Sequence, residues 1–220
     1  MPDKARVAVI GTGWWSTQAH LPALVANPKA ELVALADPRE DVLAKAASRY
    51  NVNTTYTNFE EMLDSEELDG VVVAVWHSAH YALACTCLER GLHVMLEKPM
   101  VLLAAHAREL VELAANRKRE LIIGYPWHFT PHTLRAREVL QSGELGPVQF
   151  VNSTFASMVL QFMRGTDEDY RPVFEYPVVG PGDVYSDPER SGGGQGHLQV
   201  THSAALFLFI TGLRVSGVCA

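Results

Sequence analysis

Three stretches of this 220-residue sequence carry residue types that could do chemistry. In the first, Gly11-Thr12-Gly13-Trp14-Trp15-Ser16 follows the apolar run Val7-Ala8-Val9-Ile10 and precedes a helical stretch. Gly11 permits a tight turn, Gly13 removes a side chain so that backbone N–H groups can approach a pyrophosphate, and the helix N-terminus adds partial positive charge. Ser16 fills the third, packing position of the motif. Asp37, at the end of the second apolar run, is placed to take the hydroxyls of a ribose, which favours NAD because a carboxylate repels the 2′-phosphate of NADP. Arg39 could instead reach the adenosine end or that phosphate, or lie solvated at the surface. Trp14 and Trp15 either cover a bound cofactor or pack against neighbouring loops.

In the second stretch, Glu97-Lys98-Pro99 closes the run His93-Val94-Met95-Leu96. The carboxyl edge of an open α/β sheet is where ligands bind. Pro99 biases Lys98 toward extended backbone, so the ammonium projects from a fixed point and can exchange a proton with a hydroxyl. The plainer alternative is a strand-end salt bridge. The third stretch is Gly192 to His202, a glycine-rich segment leading to a histidine at the start of an apolar helix. His128 and His132 are spaced i,i+4, but Pro131 interrupts the helix needed to align them, so no metal site is expected.

The elements that must position these residues alternate from Arg6 to Tyr125. Apolar runs predict strands over 6–10, 31–37, 70–75, 93–96 and 121–125, and helical periods lie between them over 41–50, 59–63, 81–90 and 102–116. Val71-Val72-Val73-Ala74-Val75 is continuous rather than alternating, as expected for a parallel sheet covered on both faces. This predicts a doubly wound α/β Rossmann domain over residues 1–124. Beyond it, the pattern predicts a helix over 133–142 closed by Gly143, a strand over 148–155, an aperiodic Gly/Pro-rich stretch over 164–196, a helix over 200–211 ended by Gly212, and a strand beginning at Leu213.

Composition excludes several classes. With 18 Lys+Arg against 25 Asp+Glu the net charge is −7, which argues against a nucleic-acid partner. Runs such as 71–75 and 204–210 fall far short of the ~20 residues that cross a bilayer, and no signal-peptide pattern opens the chain. A cytoplasmic protein with no membrane partner is expected. The three cysteines show no CxxC spacing, which suits a reducing compartment and small buried thiols.

Gly11-Thr12-Gly13, Asp37, Glu97-Lys98-Pro99 and the later glycine-rich segment with His202 together resemble the Gfo/Idh/MocA oxidoreductases. The resemblance implies a Rossmann domain followed by an α/β domain on a mostly antiparallel sheet, here residues 125–220 and incomplete relative to the family. It implies hydride transfer between NAD, or NADP, and a small-molecule sugar, cyclitol or related polyol. By it Lys98 is the general acid/base and also contacts the nicotinamide side, with Glu97 positioning it. The cofactor set is then Gly11, Thr12, Gly13, Trp14, Trp15, Asp37, Arg39, Trp76, His80, Glu97 and Lys98. Of the family's Thr-Pro-Asn-x-x-His loop, Val75-Trp76-His77-Ser78-Ala79-His80 keeps only His80. Gly124-Tyr125-Pro126-Trp127-His128-Phe129 is similar to the family's Gly-Tyr-Asn-Arg-Arg-Phe segment and implies that Tyr125 and His128 lie near substrate.

His202 matches the histidine of the family's Asp-x-x-x-His, which binds the substrate hydroxyl. Leu198 stands where the aspartate belongs, and Gln199 beside it offers a hydrogen bond without charge. These departures give a second expectation, a nucleotide-binding sensor or regulatory protein with impaired chemistry; the resemblance itself implies a third, NAD-assisted glycoside cleavage, which is known among relatives. A partial second sheet would expose an edge, so the expectation is either a fragment of a longer protein or a shortened family member that forms a homo-oligomer through that sheet.

Overall fold

The computed structural model describes residues 4–156, 160, 164 and 184–219; most of the expected aperiodic stretch, residues 165–183, lies outside them. The chain divides into two compact units, Met1–Gly124 with Val159–Gly194, and Tyr125–Met158 with Gln195–Ala220.

The first unit is built on six parallel strands: β1 Ala5–Ile10, β2 Ala30–Ala36, β3 Thr55–Tyr56, β4 Gly70–Val73, β5 His93–Leu96 and β6 Leu121–Ile123. Their order is β3-β2-β1-β4-β5-β6, the doubly wound arrangement whose direction of winding reverses between β1 and β4. Helices α1 Leu21–Ala26, α2 Glu40–Tyr50, α3 Phe59–Ser65, α4 His80–Glu89 and α5 Ala104–Arg117 connect them. Successive side chains of a strand point to opposite faces. Ala8, Ile10, Val71, Val73, Val94 and Leu96 accordingly bury one face against Met62 of α3, Ala84, Cys87 and Leu88 of α4 and Leu110 and Ala114 of α5. Val9, Leu35 and Val72 bury the other face against Leu21 of α1 and Leu43 and Ala46 of α2. Both faces are covered, which is why the strands read as unbroken apolar runs. The two-residue β3 carries too little pattern to be seen in sequence.

Of the described residues past Gly124, 184–194 group with the first unit. One reason is visible at Pro188–Ser191, a one-turn helix: the Ser191 carbonyl lies 2.9 Å from the His77 Nδ1 in the loop after β4.

In the second unit a 3-10 turn, Pro126–Phe129, leads into α6, Pro131–Gln141, and a final helix, Val200–Thr211, ends at Gly212 with φ +70°. Among the described residues the expected strands over 148–155 and from Leu213 are absent, and so is the antiparallel sheet they were to build. β-rich composition becomes a strand only where a partner supplies the ladder hydrogen bonds. Here neither segment pairs with a strand among the described residues, and Phe150 and Val218 are exposed. Of the cysteines, Cys87 is buried, Cys85 half-buried and Cys219 exposed, so only the first fully meets expectation. Burial pushes the Cys87 thiol up to about 12. No helix among the described residues is long and apolar enough to cross a membrane.

Candidate functional site

The carboxyl ends of β1, β2, β4, β5 and β6 gather the residues singled out in the first unit. The turn after β1 is shaped by Gly11, whose φ is +92° and where a Cβ would lie 2.3 Å from the Ala74 carbonyl oxygen. Only glycine fits there. Ser16 does more than fill space: its hydroxyl donates back to the Gly11 carbonyl and closes the turn from inside. A Cβ on Gly13 would meet only the Arg39 Nη2, at 3.6 Å. The main chain at Gly13 is otherwise open, with a guanidinium beside it, and both features fit an anionic dinucleotide phosphate.

Asp37 follows β2 and is buried. Its Oδ2 accepts from the Thr12 N–H at 2.9 Å and from the Thr12 hydroxyl at 3.2 Å. Arg39 donates to Oδ1 from its backbone N–H and Nε and to Oδ2 from Nη2, each at 3.0 Å. Burial raises the Asp37 carboxyl, but the Arg39 hydrogen bonds and charge, with the Thr12 amide, outweigh it and hold the group below its ordinary value. Of the surface and cofactor alternatives for Arg39, the structure shows neither alone: its side chain is 53% exposed and clamps Asp37. Any ribose hydroxyl must share Asp37 with that clamp.

Glu97, following β5, lies at a convergence. Trp15 Nε1–H donates to its Oε1 at 2.8 Å, His20 Nε2 lies 2.8 Å from the same oxygen, and the Lys98 N–H donates to Oε2 at 3.0 Å. Burial raises the carboxyl, yet the His20 hydrogen bond and charge and the Lys98 charge and amide outweigh it and hold it low. The buried Glu97 carboxylate is held on both oxygens by groups of the protein itself. Trp15 packs in this knot, while Trp14 stands edge-on to it with ring centroids 5.4 Å apart. Lys98 is half-buried, followed by a cis peptide to Pro99, with Nζ 5.9 Å from the centroid of the Tyr185 ring.

His80 is enclosed by two loops. It is 0% exposed, with Nδ1 2.8 Å from the Pro99 carbonyl and Nε2 3.2 Å from the Val75 carbonyl. Its ring ties the loop after β4 to the Glu97-Lys98-Pro99 turn. Burial pulls its pKa below the ordinary value despite those carbonyls. Trp76 is 42% exposed at the ligand edge, and His77, buried beside it, faces Tyr185 with ring centroids 5.7 Å apart.

In the second unit the Tyr125 hydroxyl pairs with the Thr201 hydroxyl at 2.5 Å, and the His202 ring stands edge-on to Tyr125 at 6.0 Å and parallel to Phe155 at 5.5 Å. His128 stacks on Phe209 at 4.4 Å. Burial lowers the His128 pKa, the Ala205 carbonyl opposing and the Arg137 charge adding to it. Leu198 is 0% exposed and Gln199 6% exposed. An apolar side chain at 198 is satisfied by that burial.

Sequence reasoning missed His20, Tyr185, His77 and Gly124, where a Cβ would lie 2.7 Å from Glu97 Oε1. A histidine just past a glycine-rich turn was the one signal on offer. The others follow only from chain return and close packing.

Comparison with known proteins gives the following. Residues 5–125 match the model of an oxidoreductase family with an NAD-binding Rossmann fold. The chain is 28% identical over 169 residues to the D-xylose 1-dehydrogenase [NADP(+)] of Haloarcula marismortui, covering 76% of this chain and 47% of that enzyme. It is 33% identical over 144 residues to the inositol 2-dehydrogenase/D-chiro-inositol 3-dehydrogenase of Shouchella clausii, covering 64% and 41%. Among solved structures, GenD2 from gentamicin A biosynthesis in complex with NAD superposes with a TM-score of 0.76 at 26% identity, covering 96% of this chain and 55% of that one. The chain spans about half the length of these relatives.

Proposed function

The chain belongs to the Gfo/Idh/MocA oxidoreductases, with an NAD-binding Rossmann fold over residues 5–125, and from that premise we propose an NAD(P)-dependent dehydrogenase or reductase acting on a CH–OH group of a sugar, cyclitol or related polyol. When bound, the nicotinamide supplies the acceptor or donor of hydride. The chain supplies placement and proton handling. Gly13, Thr12 and Arg39 hold the phosphate and ribose end. Lys98 Nζ takes the proton a substrate hydroxyl gives up and returns it in the reverse direction. By the family resemblance alone, His202 would bind the substrate hydroxyl and Tyr125 and His128 would lie near substrate.

The observation that carries this is the state of Glu97. Both its oxygens are engaged by Trp15, His20 and the Lys98 amide, so of the charged pair it is Lys98, half-buried at the ligand edge, that has a proton to exchange. The names of the relatives, a xylose and an inositol dehydrogenase, support a polyhydroxylated substrate. The Asp37–Arg39 pair supports NAD with NADP also admitted, because the guanidinium offsets the carboxylate that would repel a 2′-phosphate.

Titration of the chain with NADH and with NADPH, following energy transfer from tryptophan, tests the cofactor. A panel of sugars and cyclitols with both oxidised cofactors tests the reaction. Saturable binding and substrate-dependent reduction are expected; a folded chain that binds neither cofactor overturns the proposal. A second reading, a nucleotide-binding sensor, draws on Leu198, whose buried apolar side chain stands where the family carries an aspartate. Binding without turnover on any substrate, with product analysis excluding glycoside cleavage, selects it.

A further inference from the structure

We propose that His20 is a positioning residue that acts through Glu97 to couple the glycine-rich turn to the placement of Lys98. The inference rests on Lys98 as the proton-handling group. His20 ends a five-residue π-helical turn, Ser16–His20, that continues directly from the glycine-rich turn. Its Nε2 is 2.8 Å from Glu97 Oε1, and against an ionised carboxylate that nitrogen donates. The same oxygen accepts from Trp15 Nε1, and the other accepts from the Lys98 N–H. The two oxygens of one side chain therefore divide the work: Oε1 holds the segment after the phosphate-binding turn, and Oε2 holds the main chain of Lys98.

Two features make this linkage stiff. The His20 side chain is 13% exposed and that of Glu97 is 9% exposed, so water cannot readily replace either partner. Glu97 also cannot swing away toward β6 at no cost, because it already fills the space beside Gly124, where a Cβ would come within 2.7 Å of Oε1. A shift of the Ser16–His20 turn on ligand binding must move Glu97, and with it the amide of Lys98. The ammonium is then set in place by the same event that fills the turn.

The test compares His20→Ala with His20→Gln, whose amide N–H can replace the Nε2 donor. Three quantities are read: thermal melting, NADH affinity, and the rate at which an amine-reactive reagent labels Lys98, followed by peptide mass without and with NADH. His20→Ala is expected to label Lys98 at least about threefold faster without NADH and to weaken NADH binding about tenfold, while His20→Gln restores both. Trp15→Phe, which removes the other donor to Oε1, is expected to shift both quantities in the same direction and stands in should His20→Ala fail to fold. A lower melting temperature in His20→Ala with labelling and NADH affinity unchanged overturns the proposal, since that is what a purely structural histidine gives. Failure of the parent chain to bind NADH overturns the cofactor reading instead, and the labelling rates without NADH still decide the role of His20.

Discussion

Gly124 and Glu97 share one space: a Cβ on Gly124 would sit 2.7 Å from Glu97 Oε1 and 3.0 Å from Cδ. The end of β6 is bare of side chain so that the carboxylate following β5 can turn inward toward Trp15 and His20. A free glutamate would yield to a methyl group, but this one is held by three hydrogen bonds.

Gly124→Ala should therefore destabilise the chain by about 1–3 kcal/mol, the usual range for overpacking, although its φ is ordinary. Urea unfolding monitored by circular dichroism measures this; an unchanged midpoint would show that Glu97 moves freely.

The two glycines of the phosphate turn should separate folding from binding. Gly11→Ala combines φ +92° with a backbone clash at 2.3 Å and should cost about 3 kcal/mol or more. Gly13→Ala meets only the flexible tip of Arg39 at 3.6 Å, so stability should stay within about 1 kcal/mol while NADH affinity falls. Melting curves and NADH titrations of the two variants are the check.

Asp37 gives an acid-range signature. Its folded pKa lies below the ordinary 3.8, so its pairing is fully in place above that pH and is lost as pH falls through the lower folded value. In Arg39→Ala burial acts unopposed by the guanidinium, the carboxyl titrates at higher pH, and the acid-unfolding midpoint should move upward. The same variant should lose NADPH affinity relative to NADH. An acid midpoint identical to the parent's would show that Arg39 does not hold Asp37.

His80 acts at milder pH. Its folded pKa is pulled below the ordinary 6.5, so the folded state favours the neutral ring. Stability is then complete above 6.5 and drains as pH falls from 6.5 toward the folded value, with a slope of up to about 1.4 kcal/mol per pH unit. His80→Leu should flatten that part of the stability profile measured between pH 7 and 5, though it loses the tie between Val75 and Pro99.

Lys98→Ala should lower kcat by about 10²–10⁴-fold, the usual worth of a positioned acid or base, and leave NADH affinity within about threefold. Stopped-flow hydride transfer and the titration above give the two numbers. Turnover retained in this variant would remove Lys98 from the mechanism.

By itself the sequence determined the Rossmann unit and pointed to the carboxyl edge of its sheet as the place for chemistry. Continuous apolar runs, the Gly11–Ser16 turn, Asp37 and Glu97-Lys98-Pro99 are local signals, each readable because the backbone or the strand imposes it within a few residues. The tertiary structure decided what those residues touch. Trp15 and His20 would lie about 140° apart around an α-helix of 3.6 residues per turn, yet both reach Glu97 because the intervening turn is π-helical. Periodicity could not reveal that pair. His80, legible as a cofactor contact, lies between two carbonyls contributed by separate loops, and Tyr185 came to Lys98 from far along the chain. Segments 148–155 and 213–219 had the composition of strands but no ladder to join among the described residues. Composition sets what a segment prefers, and long-range packing and pairing set what it becomes.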